Sequence, residues 1–319
     1  MPRGRADHRV VRARRATPWP SETRTGSGQP RCRRCIIEGT ILRSPAVPAQ
    51  IDKASSFQAL HAAPGSFVIP NPWDGGSARI LEALGYRALA TSSGASAGTL
   101  GRRDGKISRD EALAHCELIV ASTDLPVSAD LENGFGSTTA DVAETYRLAA
   151  ETGLVGASIE DATGDPGQPL FTIEEATARV AAAVEAVRGL PFHFTLTARA
   201  EGFLRGNTDL DDAIRRLKAY EAAGADVLFA PGLPDLDAVR AVCRSVSRPV
   251  NFMVGVPHRS FTVSDLTAAG VKRISLATSL YRAAMTGLLS AARETLEHGT
   301  FSYVESSVPG RELAGYLQD

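Results

Sequence analysis

The chain has 319 residues, of which 43% are hydrophobic, and its formal net charge is −1. This composition is typical of a globular protein, and the length suits one large α/β domain or two ordinary domains. No apolar run reaches the ~20 residues that span a bilayer, so we expect no membrane partner. Four cysteines in a chain of this length do not form a disulfide framework, which favours a reducing compartment, the cytoplasm.

Charge divides the chain into two parts. Residues 1–50 contain eleven Arg, no Lys and three acids, a net charge of +8, whereas residues 51–319 contain 24 basic and 33 acidic residues, a net charge of −9. The first part is rich in Arg, Pro, Ser and Gly and has few periodic apolar positions, which is typical of disorder. We therefore predict a basic, disordered extension over residues 1–50 and a catalytic domain with a C-terminal helix over residues 51–319.

The extension carries two weak functional signals. Cys32 and Cys35 form a C-x-x-C motif, but without a second pair or a nearby His this motif does not predict a zinc site. The arginines suggest a nucleic-acid arm, but the rest of the chain is acidic and lacks a pattern of aromatic and basic residues. We therefore expect no nucleic-acid partner.

After a short predicted helix over residues 57–61, apolar runs alternate with helical segments. The predicted strands cover residues 67–69, 88–92, 127–131, 155–159, 192–198, 226–230, 249–254 and 273–277. The helices that follow them cover residues 77–84, 109–122, 140–152, 173–187, 210–223, 236–244, 263–269 and 279–297. Eight strand–helix units over roughly 250 residues predict a (β/α)8 TIM barrel. An open doubly wound sheet is the alternative, but no G-x-G-x-x-G motif follows the first strand.

Acidic residues follow two neighbouring predicted strands. Asp130 and Glu132 end the third strand, and Glu160 and Asp161 end the fourth. Alternate side chains of a strand share a face, so Asp130 and Glu132 would point the same way. Carboxylates this close are costly unless a cation or a shared proton relieves them, and oxygen ligands without His or Cys favour Mg²⁺, with Mn²⁺ as the second choice. We predict a metal site at these acids; the alternative is that they cap helices.

The polar residues of the fifth predicted strand share one face, which would point into a barrel. Thr195, Thr197 and Arg199 alternate with apolar residues that must meet the outer helices. An inward Arg can bind a substrate carboxylate or phosphonate, although a structural salt bridge would place it in the same way. Backbone N–H groups of the turn at residues 93–95 would suit an anion. Together these groups suit a small dianionic 2-oxo acid, whose enolate Mg²⁺ would stabilise.

Seven ordered motifs resemble those of the isocitrate lyase/phosphoenolpyruvate mutase superfamily, over about residues 55–300. They are Asn71-Pro-Trp-Asp74, Thr91-Ser-Ser-Gly-Ala95, Arg103-Asp-Gly105, Asp130-Leu-Glu-Asn-Gly134, Ile159-Glu-Asp161, Ala198-Arg199 and Pro249-Val-Asn251. The resemblance implies that Asp130 and Glu160 hold Mg²⁺, directly or through water, with Glu132 in the place of the family's second Asp. It also implies two further sets of residues. The catalytic residues would be Asp104 and Arg199, and the substrate-binding residues would be Trp73, Ser93, Gly94, Ala95, Arg199 and Asn251.

Two segments depart from the family pattern. The lyase branch has a Lys-Lys-Cys-Gly-His-type loop after the fourth strand, and its Cys is the acid/base. Here residues 161–170 contain no Cys, His or Lys, which argues against isocitrate or methylisocitrate cleavage. Ala200 and Glu201 also replace the usual Thr-Asp pair. The resemblance further implies a homodimer or homotetramer that can exchange the last helix between subunits.

The sequence thus predicts a cytoplasmic, Mg²⁺-dependent enzyme of the lyase or phosphonomutase kind. It would break or rearrange a C–C or C–P bond of a small 2-oxo acid, or a related carboxylate or phosphonate, through a pyruvate-type enolate. The alternative is a catalytically degenerate barrel that binds a 2-oxo acid without turning it over. The missing catalytic loop motivates that second hypothesis.

Overall fold

The computed structural model describes residues 46–257, 259 and 261–317. The strands in these ranges are β1 Phe67–Ile69, β2 Leu89–Ala90, β3 Val127–Asp130, β4 Gly156–Glu160, β5 Thr195–Arg199, β6 Val227–Phe229, β7 Val250–Met253 and β8 Arg273–Ser275. The α-helices are α1 Ala46–Ala62, α2 Gly75–Ala83, α3 Ser93–Thr99, α4 Arg109–Ala121, α5 Thr139–Glu151, α6 Ile173–Arg188, α7 Leu210–Ala222, α8 Leu236–Ser245, α9 Val263–Ala268, α10 Ser279–His298 and α11 Gly310–Tyr316. None of these helices is long and apolar enough to cross a bilayer.

The strands form one parallel sheet in the order β1-β8-β7-β6-β5-β4-β3-β2. The two edge strands meet through a hydrogen bond of 3.0 Å from the Ala90 N–H to the Pro70 carbonyl, so the sheet is a nearly closed barrel. The predicted TIM-barrel fold is confirmed. Because all strands run the same way, their carboxyl ends meet at one face of the barrel, where the active sites of this fold lie.

Alternation along the strands sorts apolar from polar side chains. On β5, Leu196 and Ala198 are buried in the main apolar core, which lies between the sheet and the outer helices. Thr195 and Thr197 are also buried but point inward, as the alternation predicts. The amino end of the barrel is closed by α1, whose Phe57 packs against Phe67 of β1. The barrel therefore has an apolar outer layer and a polar interior.

Local sequence explains where several outer helices begin. Reciprocal capping boxes start α2, α4, α5, α6 and α9 among the described helices; on α4, for example, Ser108 and Glu111 each bond to the other's backbone N–H. Each such cap contributes about 1 kcal/mol to the stability of its helix. These signals fix the helix starts, and thereby the loops that carry the site.

Two elements differ from the predictions. Helix α1 begins at Ala46, five residues before the predicted domain boundary, and the predicted short helix over residues 57–61 is its last part. Residues 93–95, predicted as a turn, form the first turn of α3. Gly and Ser are poor helix formers, so this segment does not look helical in isolation; its buried Ala95 and Ala97 hold it by packing. The remainder of the predicted extension, with Cys32 and Cys35, lies outside the described residues.

We expect the stability of the barrel to depend on pH through His61. Its Nδ1 lies 2.9 Å from the Phe57 carbonyl, its Nε2 has no partner among the described residues, and burial together with the charge of Arg273 lowers the pKa of His61 from 6.5 to about 3. Because the unfolded state binds the proton more tightly, the stabilisation is present above pH 6.5 and is lost as the pH falls toward 3. Between pH 7 and pH 5 this loss is up to about 2 kcal/mol.

The measurement is urea unfolding of the wild type and of His61→Phe at both pH values. The phenyl ring preserves the edge-to-face contacts with Phe57 and Phe67 and removes the titration. The variant should lose less unfolding free energy than the wild type on acidification. Equal losses in the two proteins would contradict the assignment.

Candidate active site

A cavity of about 710 Å³ opens at the carboxyl ends of the strands. Seven of the ten predicted site residues line it: Ser93, Asp104, Asp130, Glu132, Glu160, Arg199 and Asn251. The other three, Trp73, Gly94 and Ala95, do not line it. The sequence therefore located the cavity, and most of the predicted residues share it.

Arg199, the last residue of β5, is held by three carboxylates. Its Nη1 lies 3.0 Å from Asp130 Oδ1, and its Nη2 lies 3.2 Å from Glu160 Oε2. Its Nε and Nη2 donate to Glu201 Oε1 at 3.0 and 2.8 Å. Burial lowers the pKa of Arg199, but these three acids raise it well above its usual value. The guanidinium is therefore permanently charged and fixed in orientation.

The acids around Arg199 differ in their proton affinity. Burial raises the pKa of Asp130, but Arg199 and the N–H groups of Ser93 and Glu132 bring it below its usual value. For Glu160, burial and the charges of Glu201 and Asp130 outweigh Arg199, and its pKa lies well above its usual value. A single arginine thus does not compensate all of the carboxylates that contact it.

Glu132 lies just beyond β3 in a left-handed backbone conformation, with φ of 49°. The prediction that it shares a strand face with Asp130 is wrong, because the strand ends at Asp130, although both side chains line the cavity. The strained conformation is held by the Glu160 N–H, which donates to the Glu132 carbonyl at 2.9 Å. The carboxylate oxygen Oε1 is buried without a partner among the described residues. Burial, Asp130 and Asp104 raise the pKa of Glu132 to about 7.

Asp161 belongs to the scaffold rather than to the cavity. Its Oδ2 accepts from Arg216 at 3.0 Å and from the Tyr220 hydroxyl at 2.7 Å. Its Oδ1 accepts the Glu201 N–H at 2.8 Å. The second acid after β4 therefore faces the outer helices and fixes the backbone of Glu201, which in turn orients Arg199.

The α3 segment that was predicted to bind an anion packs closely against the other site loops. The Ser93 N–H donates to Asp130 Oδ2 at 3.3 Å, so this donor already has an anionic acceptor. A Cβ at Gly94 would lie 2.9 Å from Thr278 Cγ2 and 3.2 Å from Asp104 Oδ2, so glycine allows the Asp104 loop to approach. Trp73, which was predicted to bind substrate but does not line the cavity, packs edge-to-face against Tyr281, with ring centroids 5.7 Å apart.

Sequence reasoning missed three basic residues of the cavity, Lys106, Arg205 and Arg273. Arg205 lies 3.4 Å from Glu160 and 3.7 Å from Glu201, in the loop after β5. Arg273 lines the cavity at the start of β8, where its Nε donates to Asn251 Oδ1 at 2.9 Å. The period-two alternation of Arg273 and Ser275 on the inward face of β8 was the sequence signal that could have identified Arg273.

Comparisons with known proteins agree on the family. The phosphoenolpyruvate phosphomutase profile matches residues 57–296. The 2-methylisocitrate lyase of Escherichia coli K12 is 32% identical over 216 residues, 65% of this chain and 72% of the relative. The oxaloacetate decarboxylase of Paraburkholderia xenovorans LB400 is 31% identical over 234 residues, 71% of this chain and 76% of the relative. A crystal structure of a lyase/mutase candidate from Burkholderia cenocepacia J2315 matches at 50% identity with a TM-score of 0.82, over 84% of this chain and 96% of that chain.

The chain belongs to the isocitrate lyase/phosphoenolpyruvate mutase superfamily. The predicted family is thereby confirmed, and with it the prediction of an enzyme of the lyase or phosphomutase kind. The roles of individual site residues stay predictions. So does the inference that residues 161–170 separate this superfamily member from the lyase branch.

The acids of this superfamily member fit a divalent cation held largely by water. Among the described residues, no group of three or more His, Cys, Asp or Glu side chains is arranged to hold a metal ion together. Asp130 and Glu160 each direct one oxygen at Arg199, whereas Glu132 Oε1 is buried with no hydrogen-bond partner. Mg²⁺ commonly takes one or two carboxylates and completes its shell with water and substrate oxygens. The geometry therefore suits two protein ligands better than three.

We expect Arg199→Ala to destabilise the protein by about 3 kcal/mol or more in the presence of EDTA, because three buried carboxylates would lose their shared cation. Urea unfolding at pH 7.5 measures the change. Arg240→Ala is the matched control, since Arg240 pairs with Asp237 at an exposed position and such pairs contribute little. A change in the Arg199 variant as small as that in the control would refute the central role of this cluster.

Proposed function

We propose that this enzyme is a Mg²⁺-dependent lyase that cleaves a C–C bond of a small 2-oxo acid or related carboxylate through a pyruvate-type enolate. The carrying observation is the unpaired, buried Glu132 oxygen, which lies in the same cavity as Asp130 and Arg199. An unpaired buried carboxylate oxygen is costly, and a cation with its waters would satisfy it. Cleavage of a C–P bond is the related reaction within the same superfamily.

Asp130 and Glu132 would hold Mg²⁺, with Glu160 reaching it through water. When bound, the ion would polarise the substrate's keto oxygen and stabilise negative charge on the enolate. Mn²⁺ would serve the same purpose, because it also prefers carboxylate and water ligands.

The residues of the chain position the substrate around that charge. Arg199 has five N–H donors; one is left on Nη1 after its bonds to Asp130, Glu160 and Glu201, and this donor can orient a substrate oxygen. Asp104 lies at the cavity beside Gly94, within reach of the same space, and would accept or deliver a proton there. Asn251 would donate to a substrate carboxylate. Residues 161–170 offer no thiol, imidazole or amine, so carboxyl groups or water would protonate the enolate.

The enzyme's assembly is part of the same proposal. Helix α10 has no buried residue, and Leu288, Leu289 and Leu296 on it are more than half exposed. An apolar helix face of this kind is typical of a protein–protein contact. We propose a cytoplasmic homodimer or homotetramer that packs through α10, either by face-to-face contact or by exchange of the helix.

Loss of this apolar face should reduce the oligomer. We expect the double variant Leu288→Asp, Leu289→Asp to have a smaller mass in light scattering after gel filtration, because a buried carboxylate opposes packing. Leu84→Asp, also at an exposed leucine, is the control and should keep the wild-type mass. An unchanged mass in the double variant would place the interface elsewhere.

Turnover is tested by proton and phosphorus NMR on oxaloacetate, 2-methylisocitrate, isocitrate, dimethylmalate and phosphonopyruvate, with Mg²⁺ or with excess EDTA. We expect one substrate to yield product only with the metal. Asp130→Asn should lower that turnover at least 100-fold, since it removes a metal ligand and a partner of Arg199.

The control for this loss is Asp237→Asn, an exposed acid that pairs with Arg240 and does not line the cavity, which should retain activity. Product formation in EDTA, or full activity of the Asp130 variant, would contradict the proposal. Silence over the whole panel with oxalate still bound would favour the binding-only barrel.

A further inference from the structure

Arg273 occupies an unusual position at the inner end of the cavity. It is the first residue of β8, where it pairs in register with Asn251 of β7 and Phe67 of β1. Its side chain points into the barrel, is 5% exposed and lines the cavity. Its Nη2 donates to Thr197 Oγ1 at 2.9 Å across the barrel. Thr197 lies two residues, about 6.6 Å of strand, before Arg199 on the same face of β5, so the Arg273 guanidinium contacts β5 deeper in the barrel than the position of Arg199.

The partners of Arg273 are all neutral. Its Nε donates to the Asn251 amide oxygen and its Nη2 to a hydroxyl, while Nη1 is buried with no partner among the described residues. No acidic side chain in the described ranges forms an ion pair with it, and burial, with a smaller effect of Arg199, lowers the pKa of Arg273 to about 9. A buried cation without a counter-charge is costly, so a bound anion would stabilise this arrangement.

Two other buried arginines of the barrel show which acceptors the fold supplies to a buried guanidinium group. Arg216 pairs with both Asp161 and Asp212. Within the described residues Arg179 forms no ion pair and its Nε lacks a partner, but its Nη2 donates to the carbonyls of Asn133 and Gly136 at 2.7 Å, and it lies outside the cavity lining. Arg273 has neither kind of acceptor for Nη1, and it alone of these three faces the cavity. The structure therefore leaves its charge available to a ligand.

The surroundings of Arg273 suit a carboxylate. Apart from Arg273, the polar side chains that line the cavity from positions before the last residue of a strand are uncharged, namely Ser128, Ser158 and Asn251. The acids of the cavity, in contrast, lie at or beyond the strand ends. An anionic group entering the cavity would therefore be repelled near the acids and attracted by the one charge further inside.

We propose that Arg273 is the centre of an anion-binding subsite at the inner end of the cavity, which takes the distal carboxylate of a small dianionic substrate. The proposal rests on the proposed function for the identity of the substrate, whose reacting end would lie near Asp130. The step along β5 from Thr197, which the Arg273 guanidinium contacts, to Arg199 suits a short dicarboxylate that spans both levels. Asn251 and Ser275, which are bonded to each other at 3.0 Å beside Arg273, would contribute to the same subsite.

The test compares binding of lactate and malate by calorimetry, in Mg²⁺ and again in EDTA. The two probes differ by one carboxylate. Wild type should bind malate at least tenfold more tightly than lactate, because a charge-assisted hydrogen bond to a buried arginine is strong. Arg273→Met should abolish this preference and leave lactate binding unchanged, and Arg273→Lys should restore part of it. Equal malate preference in wild type and in Arg273→Met would overturn the proposal.

Thermal unfolding supplies a second readout that does not depend on catalysis. Arg273→Met should melt no lower than the wild type in anion-poor buffer, since an apolar side chain replaces an uncompensated charge. Malate should raise the melting temperature of the wild type more than lactate does, but that of this variant no more than lactate does, and Arg240→Met should respond like the wild type. A chloride series distinguishes a free small anion from the substrate carboxylate. Stabilisation by chloride without any preference for malate would assign the subsite to a free anion and contradict the substrate assignment.

The outcomes separate this inference from the proposed function. Malate preference that depends on Arg273 and persists in EDTA, with no turnover of any substrate, would refute the proposed reaction alone. Metal-dependent turnover that Asp130→Asn abolishes, with no effect of Arg273→Met on malate preference, would refute the subsite alone.

Discussion

The site depends on the shortage of positive charge around five carboxylates that share one cavity. Arg199 contacts three of these acids, Asp130, Glu160 and Glu201, and Arg205 pairs with two of them, yet the pKa of Glu160 stays well above its usual value, so the two guanidiniums do not compensate all of the acids. The repulsion among these carboxylates is costly, so the cluster persists only because the rest of the fold holds its residues in place. Asp161 supplies part of this support. It accepts hydrogen bonds from Arg216 and Tyr220, and it also accepts the Glu201 N–H, which fixes the Glu201 backbone.

This charge imbalance gives the cavity two chemically distinct levels. At the strand ends the acids favour a cation, and Glu132 presents a free oxygen to it. Further inside, Arg273 among neutral side chains favours an anion. A substrate that carries a chelating 2-oxo carboxylate at one end and a second carboxylate at the other would satisfy both levels at once. If the proposed subsite is correct, the barrel would select substrates by the separation of their charges along its axis as well as by their size.

Much of this architecture could be predicted from the sequence, for identifiable reasons. The strand–helix rhythm and caps such as Ser108 with Glu111 are local signals, and they placed the barrel and its acids. Glu132 was predicted to lie near Asp130, but its left-handed backbone depends on a bond from the β4 residue Glu160, which no local pattern contains. The helix at residues 93–99 depends in the same way on burial of small side chains. The alternation of Arg273 with Ser275 could have placed Arg273 inside the barrel, but its lack of an acidic partner among the described residues is visible only in the assembled fold.

The loop after β4 bears on which reaction we propose for this barrel. Residues 162–170 are closed by a bridge between Ala162 and Leu170, and Asn133 of the preceding loop donates to the Ala162 carbonyl at 3.2 Å. The segment carries no thiol, imidazole or amine, so it offers none of these groups to protonate the enolate that departs in a retro-aldol cleavage. Loss of CO2 from a 2-oxo dicarboxylate also leaves an enolate, but it needs no base to remove an alcohol proton, so stabilisation of the enolate charge and later protonation by water would suffice. The loop and the charge distribution therefore both favour decarboxylation-like cleavage of a dicarboxylic 2-oxo acid over cleavage that depends on a loop acid.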